Sequence, residues 1–227
     1  MRLRPLWSLA IIVGLPGVSA FSLGRPAAAL GDAFQTEIEL TTRGIGAGEV
    51  ALGDLVADSI RASAKADLSF VPAAAFTQAP VVIKVGGFTA GEILKAMDYE
   101  KETIALCRLT GVQIRAALER GLHLFPKSNS SFLQTSGLTV DVDPNPDSRN
   151  RVRAVKVHGD PLAPARVYYV AMPLTLANGA LAYAQVWKKT DLEKDTGTTL
   201  ESAIDRYLAD HSIIRKGEER LVAHNRQ

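Results

Sequence analysis

The chain has 227 residues, 47% of them hydrophobic and 22% charged, which supplies one domain with a buried core and excludes a chain that is disordered throughout. The formal charge is +2, but residues 1–20 hold two arginines and no acid, so the remainder balances to zero and offers no basic surface for nucleic acid or anionic membrane. The single cysteine, Cys107, cannot form an internal disulfide and reads as a small buried hydrophobe.

In chain order, a basic start (Arg2, Arg4) leads into an apolar run from Leu6 to Val18 and the small-residue ending Val18-Ser19-Ala20. That pattern is a secretory signal over 1–20, with a second small-residue site at Ala27-Ala28-Ala29 allowing cleavage as late as 29, and a retained anchor as the alternative. The protein is accordingly expected to be exported, periplasmic or secreted, with no membrane association after cleavage. A Pro/Ala/Gly-rich linker over 21–35, a folded domain over 36–212 and a polar tail over 213–227 complete the expected organisation.

Within the domain, Glu37-Ile38-Glu39-Leu40 alternates as a half-buried strand, and Leu52, Val56 and Ile60 space a helix over 49–64. A strand is expected over 67–71. Thr89 with Glu92, and Thr110 with Gln113, have capping-box spacing before apolar runs, and the buried-strand candidate 103–109 lies between them. The runs 138–142 and 152–157, separated by turn residues, read as a hairpin, 168–172 as a further strand, and Thr199 as the cap of a helix carrying Leu200, Ile204 and Leu208. Charged residues from Arg215 to Arg220 read as a solvated surface. Mixed strand and helix runs with a hairpin indicate an α+β or mixed α/β class.

Four pieces then stand out: Leu52-Gly53-Asp54-Leu55-Val56-Ala57-Asp58-Ser59, the run 88–94, Cys107-Arg108-Leu109-Thr110-Gly111 and Phe132-Leu133-Gln134-Thr135-Ser136-Gly137-Leu138. Their order and spacing resemble the C-terminal domain of 5'-nucleotidases over about 37–212. The resemblance implies a mixed sheet with flanking helices. In that family an N-terminal metallophosphatase domain does the hydrolysis with two metal ions, and this chain resembles the C-terminal domain standing alone. The resemblance therefore implies an exported, substrate-recognition-type binding or accessory module related to nucleotide catabolism, with no catalytic residue, metal ligand set or cofactor of its own. Two alternatives stay open: a recognition subunit completed in trans by a separate metallophosphatase, and a protein-interaction domain on a retired scaffold. The partners implied are that metallophosphatase or another exported protein, and a small-molecule ligand; no nucleic acid is expected.

The resemblance also maps a ligand pocket onto this chain. Thr77 falls where the family has an arginine, and a neutral hydroxyl does not replace a bidentate guanidinium. Glu100 falls on the base-stacking phenylalanine and Glu102 on an asparagine, while the neighbouring Tyr99 supplies a ring only if its loop shifts. Leu181 takes the place of a ribose-binding aspartate. With Gly137, Asn178 and Tyr183 these residues form the candidate ligand-binding set. Each lost base–aromatic stack would remove about 1–3 kcal/mol of binding.

Other motifs are weaker. Arg43-Gly44-Ile45-Gly46-Ala47-Gly48-Glu49 lacks the last glycine of a dinucleotide fingerprint and reads as a flexible connection. The run 141–147 begins like a calcium loop but has Pro146 where the turn needs glycine. His123, His158, His211 and His224 are scattered and read as structural or surface residues.

Overall fold

The computed structural model describes residues 33–145 and 148–223. The expected signal, most of the linker and His224 lie outside these residues, as do Pro146 and Asp147 of the calcium-like run.

The chain opens with β1 (Ala33–Thr36), β2 (Leu40–Thr41), α1 (Ala51–Ala64), β3 (Leu68–Pro72), β4 (Val82–Ile83), β5 (Gly86–Thr89) and α2 (Ala90–Leu94). It continues with β6 (Thr103–Thr110), α3 (Gly111–Gly121), β7 (Leu133–Ser136), β8 (Leu138–Val142), β9 (Val152–Val157) and β10 (Asp160–Pro161). Last come β11 (Val167–Pro173), α4 (Leu174–Ala177), β12 (Leu192–Thr199), α5 (Leu200–Asp210), β13 (Ile213–Ile214) and β14 (Leu221–Ala223).

A five-stranded sheet in the order β12-β6-β11-β3-β7 forms the middle layer, with β11 and β3 parallel and the other neighbours antiparallel. Its inner strands β6, β11 and β3 are largely buried on both faces because side chains alternate between two apolar layers, whereas the edge strand β12 is half-buried to exposed. Ala105, Cys107, Leu109, Val170 and Met172 face α3 and a second sheet, β10-β9-β8-β14. Ile104, Leu106 and Ala171 face the opposite way, onto α1, α2 and α5. Each fully buried Leu, Ile, Val or Phe in these layers contributes about 1.5–3 kcal/mol. The result is a mixed sheet with flanking helices, as the class and the resemblance required.

Helix starts follow the expected chemistry. At α3 the Gln113 amide donates to Thr110 Oγ1 at 3.3 Å and the Thr110 amide to Gln113 Oε1 at 2.9 Å, closing a capping box. Thr89 and Glu92 close another at α2, and the Ser202 amide donates to Thr199 Oγ1 at 3.1 Å at α5. Helix α1 has no side-chain cap of its own at Val50; Gln134 Oε1, from β7, accepts the Val50 amide at 3.2 Å. The hairpin is present as β8 against β9, from Leu138 opposite Val157 to Val142 opposite Val152.

Three expectations are corrected. The strand placed at 37–40 is instead two short strands on either side of a bend, where Thr36 Oγ1 donates to the Ile38 carbonyl at 2.7 Å. The end of the expected linker is strand, because β1 pairs with β5 from Ala33 onward. The segment expected as a polar tail is built into the fold: β13 pairs in parallel with β1, and β14 in parallel with β8. Its charge misled the reading because Arg220 finds acidic partners on α1, far away in sequence. Among the described residues no helix is long and apolar enough to cross a membrane.

Candidate functional site

Because β3 and β11 run parallel and β6 runs antiparallel to both, the ends of β3 and β11 and the start of β6 meet at one end of the central sheet. Three connections gather there. After β3, a short 3-10 turn, Ala73–Ala75, leads to Thr77, whose amide donates to the Ala96 carbonyl at 2.9 Å, while the Asp98 amide returns to the Ala75 carbonyl at 3.0 Å. Before β6, the Glu102 amide donates to the Tyr99 carbonyl at 2.9 Å, making a turn of 99–102. After β11 come α4 and the turn 178–183.

Several polar groups at this end are bonded within the protein, although Asp205 Oδ1 is buried without a hydrogen-bond partner. Thr77 Oγ1 donates to the Ala79 carbonyl at 3.1 Å. Glu102 Oε1 accepts the Thr175 amide at 2.5 Å, and the Glu100 and Glu102 carbonyls accept the amides of Glu201 and Leu200 at 2.9 Å each. Lys101 pairs with Glu201. Asp205 stands close by, and burial followed by the charge of Glu201 raises its carboxyl above the ordinary range. With Glu100, Glu102, Glu201 and Asp205 around one lysine, this end carries excess negative charge, which opposes a phosphate.

The last connection is strained. Leu181 and Ala182 have φ of 55° and 64°, a left-handed conformation that costs a non-glycine residue about 1–2 kcal/mol. Arg120 holds the turn by donating from Nε and Nη2 to the Leu181 carbonyl at 3.1 and 2.9 Å. Leu181 itself packs against the core.

Thr77, Tyr99, Glu100, Glu102, Asn178 and Leu181 therefore lie on connections at one end of the sheet. Of these, Tyr99 is 62% exposed and its ring is free at the rim. Tyr183 is not at the surface: it is fully buried, its hydroxyl donates to the Ser131 carbonyl at 2.7 Å, and its ring stacks on Trp187 at 4.8 Å. Gly137 lies at the opposite end of the sheet, since Ser136 is paired with Ser69 near the start of β3. Its φ is +79° and an added Cβ would stand 2.3 Å from the Asp67 carbonyl, so the turn between β7 and β8 needs glycine for a structural reason. Beside Thr77 there is an open recess of about 370 Å³, which Arg43, Gln78, Ser128 and Ser130 also line.

Cys107 is buried in β6 and burial pushes its thiol up to about 12. His123, His158 and His211 are exposed, and among the described residues no group of three or more His, Cys, Asp or Glu side chains is placed to hold a metal ion.

Sequence reasoning missed a second polar cluster. Arg220 Nη2 donates to Asp58 Oδ2 at 2.8 Å and Nη1 to the Thr135 carbonyl at 2.6 Å, and Nη1 lies 3.4 Å from Asp54 Oδ1. Glu49 Oε2 accepts the amides of Arg220 and Leu221 at 2.7 Å each. Ser136 Oγ joins the cluster, donating to Asp58 Oδ1 at 2.5 Å while accepting from Arg61 Nε at 2.7 Å. Burial, opposed by Arg220 and reinforced by Glu49, pushes Asp54 up to about 8. The available signal was Asp54 and Asp58 at i and i+4 on a helix whose neighbours Leu55 and Val56 are core residues.

The family model described as 5'-nucleotidase, C-terminal domain, matches residues 29–188. A mouse 5'-nucleotidase is 29% identical over 145 residues, covering 60% of this chain and 25% of that protein. An apyrase of Aedes albopictus is 30% identical over 167 residues, covering 69% of this chain and 29% of that protein. The crystal structure of a 5'-nucleotidase precursor from Thermus thermophilus superposes with a TM-score of 0.74 at 25% identity, covering 86% of this chain and 39% of that one. The chain thus spans between a quarter and two-fifths of the length of these relatives. With more than half of its residues matched and the same fold, the chain belongs to the 5'-nucleotidase C-terminal domain family, a family of nucleotide metabolism.

Proposed function

We propose that this chain works as an exported accessory module of the nucleotidase C-terminal type, engaging a partner or small ligand rather than performing hydrolysis itself. The observation that carries this reading is the Glu102–Thr175 contact. The carboxylate at a pocket-type position already accepts a backbone amide at 2.5 Å, so it is committed to holding α4. Around it, the excess of acids disfavours a nucleoside phosphate, and Tyr183, the retained aromatic, is sequestered in the core. Export rests on the pattern of residues 1–20.

Calorimetric titration of the purified protein with AMP and other nucleoside monophosphates tests the loss of the nucleotide pocket, with no saturable heat expected at micromolar concentrations. Micromolar binding would overturn it. A phosphate-release assay with added Mg²⁺, Mn²⁺ or Zn²⁺ tests the absence of hydrolysis.

One observation favours a second reading, a recognition subunit completed in trans by a metallophosphatase. Tyr99 presents its ring at 62% exposure at the same sheet end as Thr77, whose recess Arg43 also lines. Co-purification from the native host, followed by phosphate release from the complex but not from either part, would establish that reading.

A further inference from the structure

The C-terminal segment is attached at three places with different chemistry. Strand β13 adds to β1, strand β14 adds to β8, and between them Arg220 enters the acidic cluster on α1. The two strand contacts are short, and Arg215, Lys216, Gly217, Glu218 and Glu219 between them are all exposed. Arg220 is the deep anchor, with its side chain only 14% exposed.

The cluster has a charge imbalance. Asp54 and Asp58 meet the Arg220 guanidinium, Glu49 holds the Arg220 backbone amide, and Arg61 reaches Asp58 through Ser136, so three ionised acids would face two cations. Glu49 stands in the same cluster at the Arg220 amide, and its negative charge works against ionisation of Asp54. Neighbouring carboxylates repel, which favours a proton on one of them. Asp54 Oδ1 is buried and lacks a hydrogen-bond partner, and its 3.4 Å approach to Arg220 is an ion pair without hydrogen-bond geometry. A neutral carboxyl tolerates that position far better than a charged one.

We propose that residues 211–223 are a proton-controlled clasp: Arg220 docks between Asp58 and a Glu49–Asp54 pair that holds one proton, so the segment is held under mildly acidic conditions and loosened under alkaline ones. Opening the clasp frees the backbone edges of β8 and β1, which are competent to pair with another strand.

The direction follows from burial. With the clasp closed, Asp54 holds its proton up to about 8; with the segment released it is hydrated and returns toward its ordinary value of 3.8. Between those values the closed form binds one proton more than the open form, so closure weakens as pH rises through that window and levels off above it. Other charged or titratable groups face the cluster from each neighbouring element. Tyr207 on α5 and His211 just after it, Arg215 and Glu218 on the segment, and Lys156 and His158 beside β8 line the recesses on either side of Arg220. Burial, then the charge of Asp58, pushes the Tyr207 phenol up to about 12, so it stays neutral across the window. His211 and His158 are the two histidines at these recesses, and His211→Gln and His158→Gln controls separate their charges from that of Asp54.

Native-state hydrogen exchange of the full chain at pH 6 and pH 9, corrected for intrinsic rates, tests the clasp. Protection of 211–223 relative to β6 is expected to fall by about tenfold or more from pH 6 to pH 9. Asp54→Asn, which imitates the protonated carboxyl, should keep the segment protected at both values, and His211→Gln and His158→Gln should each leave the dependence intact. Arg220→Gln should lower protection of the segment at both values while β6 stays protected. Should Asp54→Asn fail to fold, Glu49→Gln provides the second test, since it removes the negative charge that works against ionisation of Asp54. A segment equally protected at both pH values in the wild type, or an undiminished pH dependence in Asp54→Asn or Glu49→Gln, overturns the proposal, as does loss of the dependence in His211→Gln or His158→Gln.

Discussion

Gly53 of α1 lies against Gln134 of β7 so closely that a Cβ on the glycine would stand 2.5 Å from Gln134 Oε1. That approach lets one amide group serve three backbone sites. Gln134 accepts the Val50 amide at the start of α1, and its Nε2 donates to the Ile45 and Gly48 carbonyls at 2.9 and 2.8 Å. The glycine-rich run 43–49 is thereby pinned, and the flexibility expected of it is limited by a side chain from the middle of the domain.

Gly53→Ala sets two effects against each other. Alanine favours a helix by about 1 kcal/mol over glycine, but overpacking a closed contact costs about 1–3 kcal/mol, and here the neighbour is a fully committed amide. A net loss of about 1–2 kcal/mol is expected, read as a lower urea midpoint at unchanged slope. Gln134→Ala should cost about 1–3 kcal/mol because it leaves a half-buried amide and two half-buried carbonyls without their partner. The double variant should cost less than the sum, since the second change removes the atom that the first one hits.

Tyr183 is expected to act through stability alone. Tyr183→Phe removes the hydrogen bond to the Ser131 carbonyl and should cost about 1–2 kcal/mol, while Tyr183→Ala should cost about 3–5 kcal/mol through the cavity it leaves beside Trp187. Thermal melts give both numbers. Improved or impaired ligand binding by a correctly folded Tyr183→Phe protein would contradict the core role.

The thiol of Cys107 should be silent in the native protein. Burial raises it from 9.0 to about 12, so the folded state keeps its proton where the unfolded state loses it. Its contribution to stability is full below about 9 and falls as pH rises from there toward about 12. Reaction with a thiol reagent at pH 8 should proceed at the rate of unfolding, and become immediate in guanidinium chloride; rapid native labelling would refute this.

Ala182 offers a stabilising change. Its φ of 64° suits glycine, and the left-handed penalty of about 1–2 kcal/mol exceeds the backbone-entropy cost of glycine, about 0.5–1 kcal/mol. Ala182→Gly is therefore expected to raise stability by about 0.5–1 kcal/mol, visible as a higher melting temperature. A lower melting temperature would show that the methyl group has a packing role at that turn.

Much of the fold was legible because it is written locally. Capping boxes at Thr89 and Thr110, the helical spacing of Leu52, Val56 and Ile60, and the alternating runs of the hairpin each declare themselves within a few residues, and all are present. The motifs that carry the family resemblance were visible too, although their meaning was not. Leu52 to Ser59 and Phe132 to Leu138 pack on one another, with Gln134 against Gly53 and Ser136 bonded to Asp58. They are two halves of one structural joint.

Sequence by itself determined the class, the family and the identity of the residues at the pocket-type positions, since those depend on local pattern and on the order of motifs. Tertiary structure alone decided their use: Tyr183 turned inward, Glu102 spent on the Thr175 amide, Gly137 placed at the opposite end of the sheet, and Arg220 withdrawn from solvent by acids more than 160 positions away. The reason is physical. Charge and hydropathy are properties of a residue, whereas burial, partnership and the energy of a proton belong to the neighbours that folding brings to it.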